Sequence, residues 1–353
     1  MSSPLDQVVR QAGEWLRGVG PLHEIVISTR IRLARNLRGI PFLSKASEAA
    51  RQEIVDIVTA SIRRSELLRD FILLDVSQLD ELDRSLLVER HLISRQHAEG
   101  SGPRAVAFHR SEASAIMVNE EDHLRIQTMR SGLQIDEAWA EMNRLDDALE
   151  QNLDYAFHPQ YGYLTACPTN VGTGIRVSVM LHLPALRLTN ELEKVAQAAK
   201  AMQLAVRGLH GEGTEALGDF FQISNQITLG RSEEEIIEDF RDKVIPEIVK
   251  FELQTREALK DKRPYALDDK IWRALGTLRS ARLISSQEAM QYLSHVRMGV
   301  HVGRVDSIDV KTLNELFLQI QPAHLQKLHG ERLTGEQRSV ERATFIRSRL
   351  HAN

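Results

Sequence analysis

The sequence predicts an α+β chain, and three observations carry that prediction. Strand-like and helix-like segments alternate up to about residue 255. Beyond residue 262 the periodicity is helical alone. Between the two regimes lies Asp261-Lys-Arg-Pro-Tyr265, a charged stretch with a helix-breaking proline, read as a linker. The expected boundaries are a mixed domain over 20–255 and an all-helical domain over 262–353.

Composition sets the outer limits. A hydrophobic content of 42% in 353 residues is enough for two cores. The single cysteine, Cys167, excludes an internal disulfide and a cysteine-based zinc site, and it fits a reducing compartment. No apolar run at the N-terminus resembles a signal peptide and no segment reaches membrane-spanning length, so the expectation is a cytoplasmic protein with no membrane partner. The net charge of −4 is uneven: from Lys260 onward there are 16 Lys+Arg against 10 Asp+Glu. Such an excess suits an anionic partner, and a plain solvated face explains it equally well. No nucleic-acid-binding motif accompanies it.

Taken in order, a short helix is expected around Val8 to Trp15, stopped by Gly18-Val19-Gly20. Glu24 to Asn36 opens as an apolar strand and continues through Arg30, Arg32 and Arg35. Arg30 and Arg32 are two apart and so share one face of a strand. Two guanidinium groups side by side repel unless an anion lies between them, which admits a polyphosphate clamp, although on this pair alone an ordinary surface strand is the better explanation. Residues 46–70 read as a surface helix and 80–98 as a second, carrying His91. Ala105–Phe108 and Ser114–Val118 read as a hairpin around Arg110-Ser-Glu-Ala113.

The second hairpin strand runs into Asn119-Glu-Glu-Asp-His-Leu-Arg125. Three consecutive carboxylates at a strand end are expensive if buried and ordinary if exposed. At the mouth of a sheet beside arginines, one of them can act as a general base or hold a cationic substrate. No zinc-binding spacing is present. An amphipathic helix over 134–153 follows, then Cys167-Pro-Thr-Asn-Val-Gly-Thr-Gly-Ile-Arg176, a glycine turn that sets a thiol and a cation before a strand reaching Leu183. A helix over Glu191–Leu204 leads to a second glycine-rich loop, Ala205–Glu215, holding Arg207 and Glu212; Ile223–Leu229 reads as a strand. Ser232 and Glu235 form a capping box opening a helix to about Leu259 that Pro246 should kink. Helices over 267–283, from the Ser285–Glu288 capping box, near 307–320 and over 335–350 complete the chain.

Four of these segments, in this order, resemble the phosphagen kinase family: Ser28-Thr-Arg-Ile-Arg32, Asn119 to Arg125, Cys167 to Arg176, and Arg207-Gly-Leu-His-Gly-Glu212. The resemblance covers roughly residues 20–255 and implies an antiparallel sheet flanked by helices. It implies transfer of the γ-phosphoryl group of ATP, with Mg²⁺ riding on the nucleotide, to a guanidino nitrogen. Position by position, Arg30, Arg32, Arg125, Arg176 and Arg207 resemble the arginines around the ATP phosphates. Glu121 matches the catalytic carboxylate, Glu212 the second carboxylate that holds the guanidinium, and Cys167 the reactive cysteine beside it. His91 matches a nucleotide-contacting histidine, and Ser28, Thr29, Ser178, Gly208 and His210 are nucleotide neighbours by position. No protein ligand to a metal is implied. The residue types suit the reaction: carboxylates can orient a guanidinium and take its proton, and arginines can spread over the transferring charge.

Within the family the arrangement resembles the bacterial branch that phosphorylates arginine side chains in proteins and marks them for a Clp protease. Only 27 residues precede Ser28, too few for the helical lid of small-molecule members, and a helical extension follows residue 260 instead. The implied partners are protein substrates presenting arginine, a zinc-binding activator protein, a stress-response repressor, a Clp ATPase/protease, and a second copy of the chain through the helical domain. That branch recognises phosphoarginine through Arg-Asp-x-x-Arg-Ala, matched here by Arg338-Ser-Val-Glu-Arg-Ala343. Arg338 and Arg342 are thus implied ligands, with Ser339 replacing the aspartate. Two alternatives stand beside this reading: a kinase of free arginine or another small guanidino compound, and a catalytically silent nucleotide- or partner-binding adaptor.

Overall fold

An eight-stranded sheet organises the computed structural model, which describes residues 5, 8–10, 12–208 and 217–351. Its strands are β1 (Val26–Arg35), β2 (Phe71–Asp75), β3 (Ala105–His109), β4 (Ser114–Val118), β5 (Leu124–Ser131), β8 (Ile175–His182), β9 (Leu204–Gly208) and β10 (Phe220–Asn225). The spatial order is β2-β3-β4-β5-β1-β8-β10-β9, and every neighbouring pair is antiparallel. A separate two-stranded hairpin joins β6 (Phe157–His158) to β7 (Gly162–Tyr163).

Alternation along the strands separates two faces. Ile31, Leu33, Ile126, Val177, Val179 and Ile223 point to one side and join the main core, which α1 (Glu48–Arg64) and α4 (Ile135–Glu150) help to close. Among the described residues, apolar packing covers the opposite face only at its flanks. Ala115 and Met117 meet Leu86 and Leu87 of α2 (Glu81–Glu89) at one flank. Met129, Met180 and Phe220 meet the C-terminal helices at another. Between those patches lie the arginines.

The helices after residue 262 are α9 (Pro264–Ser280), α10 (Ser286–His301), α11 (Val310–Gln319), α12 (Pro322–His329) and α13 (Gly335–His351). The apolar faces of α9, α10, α11 and α13 converge on one core that also takes Trp15, Leu16 and Phe220, whereas Ala323 of α12 joins the patch around Leu86 and Leu87. Polar groups close the seam: Arg297 is fully buried and donates to the backbone oxygens of His23 and Glu24.

Several expectations need correction. The proposed linker is a single non-helical residue, Arg263 (φ −140°, ψ 48°), between α8 (Ile245–Lys262) and Pro264, the first residue of α9. Proline suits a helix start because its missing N–H is unpaired there anyway. The helix expected over 80–98 breaks after Glu89 and resumes as α3 (Arg95–Glu99), with His91 in the left-handed region at φ 59°. The last sheet strand lies at Phe220–Asn225, not at 223–229. A helix the periodicity missed, α12, begins at Pro322. Both capping boxes form, at Ser232/Glu235 and Ser285/Glu288. The first opens α7 (Glu233–Glu238), and ahead of Pro246 the chain widens into a π-helical segment, Asp239–Val244. That widened turn lies just ahead of the proline, where the backbone lacks a donor and helices commonly bend.

Candidate active site

Register brings the predicted arginines together. Arg32 lies opposite Gln127 of β5 and Arg176 of β8; Arg30 lies opposite Met129 and Ser178; Arg125 lies opposite Ala34; and Arg207 lies opposite Gln222. All five arginines therefore project from one face of the sheet, carried by the four strands β5, β1, β8 and β9. Arg30 donates to Gln222 Oε1 at 2.6 Å and reaches Ser178 Oγ at 3.5 Å. Burial, then the like charges of Arg125, Arg176 and Arg207, lowers the Arg30 pKa to about 10. Burial and the charges of Arg30, Arg125 and Arg176 also push Arg32 well below the ordinary guanidinium value. Among the described residues, the buried Nε of Arg32 has no hydrogen-bond partner. A buried, unpaired cationic donor among cations is costly in the protein alone, and an anion laid across it removes both penalties.

The carboxylate motif forms the turn from β4 to β5. Asn119 adopts φ 61° and its N–H reaches the oxygen of His123 at 2.9 Å. The three carboxylates are treated differently. Glu120 is buried, paired with Arg125 at 2.7 Å and accepting from Ser94 Oγ at 2.5 Å. Asp122 is fully buried and accepts from Asn36 Nδ2 at 2.7 Å and from the Ala166 N–H at 2.6 Å. Glu121 alone stays open, its side chain 33% exposed, with Arg125 Nη2 at 2.9 Å. Partial burial raises its pKa above the ordinary carboxylate value; Arg125 opposes that shift and the charges of Glu120 and Asp122 add to it.

Asp122 couples this turn to the cysteine loop, because Ala166 immediately precedes Cys167. The Cys167 sulfur is 3.0 Å from Thr169 Oγ1, and the Thr165 hydroxyl donates to the Cys167 carbonyl at 2.8 Å. Gly174 (φ 69°) allows the turn into β8: a Cβ there would stand 2.7 Å from the Ala34 oxygen. Ser28 and Ser178 share the arginine face, and Gly208 ends β9 next to Arg207. Glu212 and His210 lie outside the described residues. The Thr29 side chain does not join the site; it projects from the opposite face and donates to the Gly132 oxygen at 2.8 Å.

Two contributors escaped the sequence reading. Gln222 holds Arg30 from β10, and strand alternation would have found it had that strand been placed three residues earlier. Trp15 packs edge-on against His91 with ring centroids 4.5 Å apart, and both line a crevice with Ser28, Arg30, Ser178 and Gln222. Gln127 fixes the histidine loop by donating to the His91 oxygen at 2.6 Å.

The C-terminal arginines lie elsewhere. Arg338 lines a cleft of about 1030 Å³ between α2, α3 and the C-terminal helices, with Arg84, Arg95 and Arg332. Arg342 does not line it: buried, it donates to the oxygens of Ile320 and Ile284 at 2.8 and 3.1 Å. Ser339 donates to Gly335 O within the helix.

The model of the ATP:guanido phosphotransferase C-terminal catalytic domain matches residues 53–255. The chain belongs to the ATP:guanido phosphotransferase family. A second model, that of the protein-arginine kinase McsB C-terminal domain, matches residues 264–353. Among curated relatives, a protein-arginine kinase of Symbiobacterium thermophilum is 48% identical over 98% of both chains. One of Halothermothrix orenii is 43% identical over 98% of this chain and 99% of its own. The crystal structure of a lombricine kinase superposes with a TM-score of 0.59 at 26% identity, covering 70% of this chain and 71% of that one. As in other ATP:guanido phosphotransferases, the fold is an antiparallel sheet flanked by helices, here with a helical C-terminal region. No helix among the described residues is long and apolar enough to cross a membrane.

Proposed function

We propose that this chain is a protein-arginine kinase that transfers the γ-phosphoryl group of ATP to arginine side chains of proteins. The observation carrying the phosphoryl half is the buried Nε of Arg32, unpartnered among the described residues, inside a cluster of four further arginines. The polypeptide half is supported by relatives named protein-arginine kinase that match almost the whole chain.

In this reading Arg30, Arg32, Arg125, Arg176 and Arg207 bind the ATP phosphates and spread over the charge of the transferring group. His91, Trp15, Ser28 and Ser178 border the nucleoside, and Mg²⁺ arrives with the nucleotide. Glu121 accepts a hydrogen bond from the acceptor guanidinium, aligns its nitrogen with the phosphorus and takes the proton as the P–N bond forms and the bond from the γ-phosphorus to the bridging oxygen of the departing ADP breaks. Glu212 holds the same guanidinium from the other side, and Cys167 lies against it. The half-open position of Glu121 beside two buried carboxylates suits this division of roles.

The cleft holding Arg338 is the second site in this proposal, a phosphoarginine-binding pocket in which Arg338 meets the phosphoryl group and Arg342 braces the helix behind it. Marking of substrates for a Clp protease, a zinc-binding activator, a stress-response repressor partner, a homodimer and a cytoplasmic setting belong to the same proposal.

The test is peptide-level mass spectrometry of casein incubated with the protein and Mg-ATP under conditions that preserve acid-labile P–N bonds. Phosphate on arginine, absent with Glu121→Ala, is the expected result. Ready turnover of free arginine with no label on casein would replace this reading with a small-guanidino kinase.

A further inference from the structure

Upstream of the cysteine loop, the β6–β7 hairpin presents aromatic rings to solvent beside carboxylates. Phe157 is 49% exposed and meets Tyr163 edge-on at 5.3 Å; Tyr163 meets the buried Tyr155 at 6.1 Å. With Glu150, Asp154 and Arg38 these rings line a cleft of about 750 Å³. The Tyr163 hydroxyl is pushed above the ordinary phenol value by burial, and the carboxylates of Asp146, Glu150 and Glu233 add to the shift against Arg35. The cleft is therefore aromatic, with the carboxylates of Glu150 and Asp154 set against the one guanidinium of Arg38 among its lining residues.

The fold already contains a guanidinium bound in this manner. Arg35 lies over the Tyr163 ring at 3.6 Å and pairs with Asp146 at 2.7 Å, an aromatic face and a carboxylate gripping one arginine. One layer outward, Phe157, Glu150 and Asp154 offer the same chemistry to solvent. Arg38, which also lines the cleft, is 3.5 Å from Asp154 with both side chains largely exposed, a contact too weak to hold the cleft closed.

We infer that this cleft docks a basic side chain of the polypeptide substrate that flanks the acceptor arginine. The inference rests on the protein-arginine reading above. Tyr163 and Cys167 are four residues apart, so the cleft and the cysteine loop are separated by at most about 14 Å of chain. An extended substrate spans that distance with roughly four residues, placing the docked cation three to five positions from the phosphorylated arginine. A lysine suffices, since the cleft reads charge and an apolar stem and not the guanidino group itself.

The experiment compares two peptides with a single arginine: one with lysine four residues away, tested on each side, and one with glutamine there. The expected kcat/KM ratio favours the lysine peptide by roughly fivefold or more on one side, the size of a partly exposed cation–aromatic contact plus an ion pair. Glu150→Gln combined with Asp154→Asn, and separately Phe157→Ala, should bring the ratio close to unity. A ratio near unity in the unmodified protein, or an undiminished ratio in both variants, overturns docking while peptide phosphorylation itself stands. Failure to label any peptide or casein, with free arginine consumed, overturns the parent reading and docking together.

Discussion

Arg32 and Arg176 face each other directly across adjacent antiparallel strands, with the Nε of Arg32 buried and unpartnered among the described residues. Like charges opposite one another in a sheet destabilise it. Arg32→Ala should therefore leave the thermal stability of the nucleotide-free protein unchanged or raised. It should weaken nucleotide binding about 10- to 100-fold, the weight of one charge-assisted hydrogen bond set. Calorimetry with and without ATP checks both; lowered stability with unchanged nucleotide affinity would make Arg32 a structural residue.

Glu121 offers a separate readout. Glu121→Gln keeps the shape and loses the base, so kcat should fall by about 10²-fold or more while ATP still binds. Because partial burial holds the Glu121 pKa above that of an ordinary carboxylate, kcat/KM in the unmodified protein should fall as pH drops through that raised value. An acidic limb that survives in the glutamine variant's residual activity would assign the titration to another group.

The two C-terminal arginines should behave differently although they sit four residues apart on one helix. Arg342→Ala leaves the oxygens of Ile320 and Ile284 without a donor and should cost about 2–4 kcal/mol of stability in urea unfolding. Arg338→Ala should be nearly neutral for stability and should weaken binding of a phosphoarginine peptide. Equal stability losses would contradict these placements.

Glu89 joins α2 to the start of α12, accepting from the backbone N–H groups of Ala323 and His324 at 2.7 and 2.9 Å. Burial lifts its pKa to about 7, against an ordinary value of 4.5. Between those values the folded protein holds a proton that the unfolded chain has released. Its contribution is thus present below about pH 4.5 and is lost as pH rises through about 7. Glu89→Gln should flatten that decline, whose full span is on the order of 3 kcal/mol. Urea titrations at several pH values across that window check it; identical slopes in both proteins would refute it.

Much of the arginine face was readable from the chain. The spacing of Arg30 and Arg32 put both on one side of a strand, and the hairpin of β3 and β4 formed where alternation and a polar turn required it. Both capping boxes formed because they need only residues three apart. The less legible parts were those depending on distant chain. Gln222 reaches Arg30 across 192 positions, and Trp15 meets His91 only because the N-terminal segment packs over the sheet. The single-residue break at Arg263 and the helix from Pro322 likewise lack a periodic signal of their own.

By itself, then, the sequence determined the strand faces, the helix starts and the supply of arginines, carboxylates and thiol, because two-residue and 3.6-residue periods and capping are local properties. Tertiary structure decided which of those groups became a site. Cross-strand register gathered five arginines from β5, β1, β8 and β9 onto one surface, and long-range packing buried Glu120 and Asp122 while leaving Glu121 open. Exposure and like-charge crowding belong to the assembled surface, since a residue acquires them only when strands far apart in sequence lie side by side.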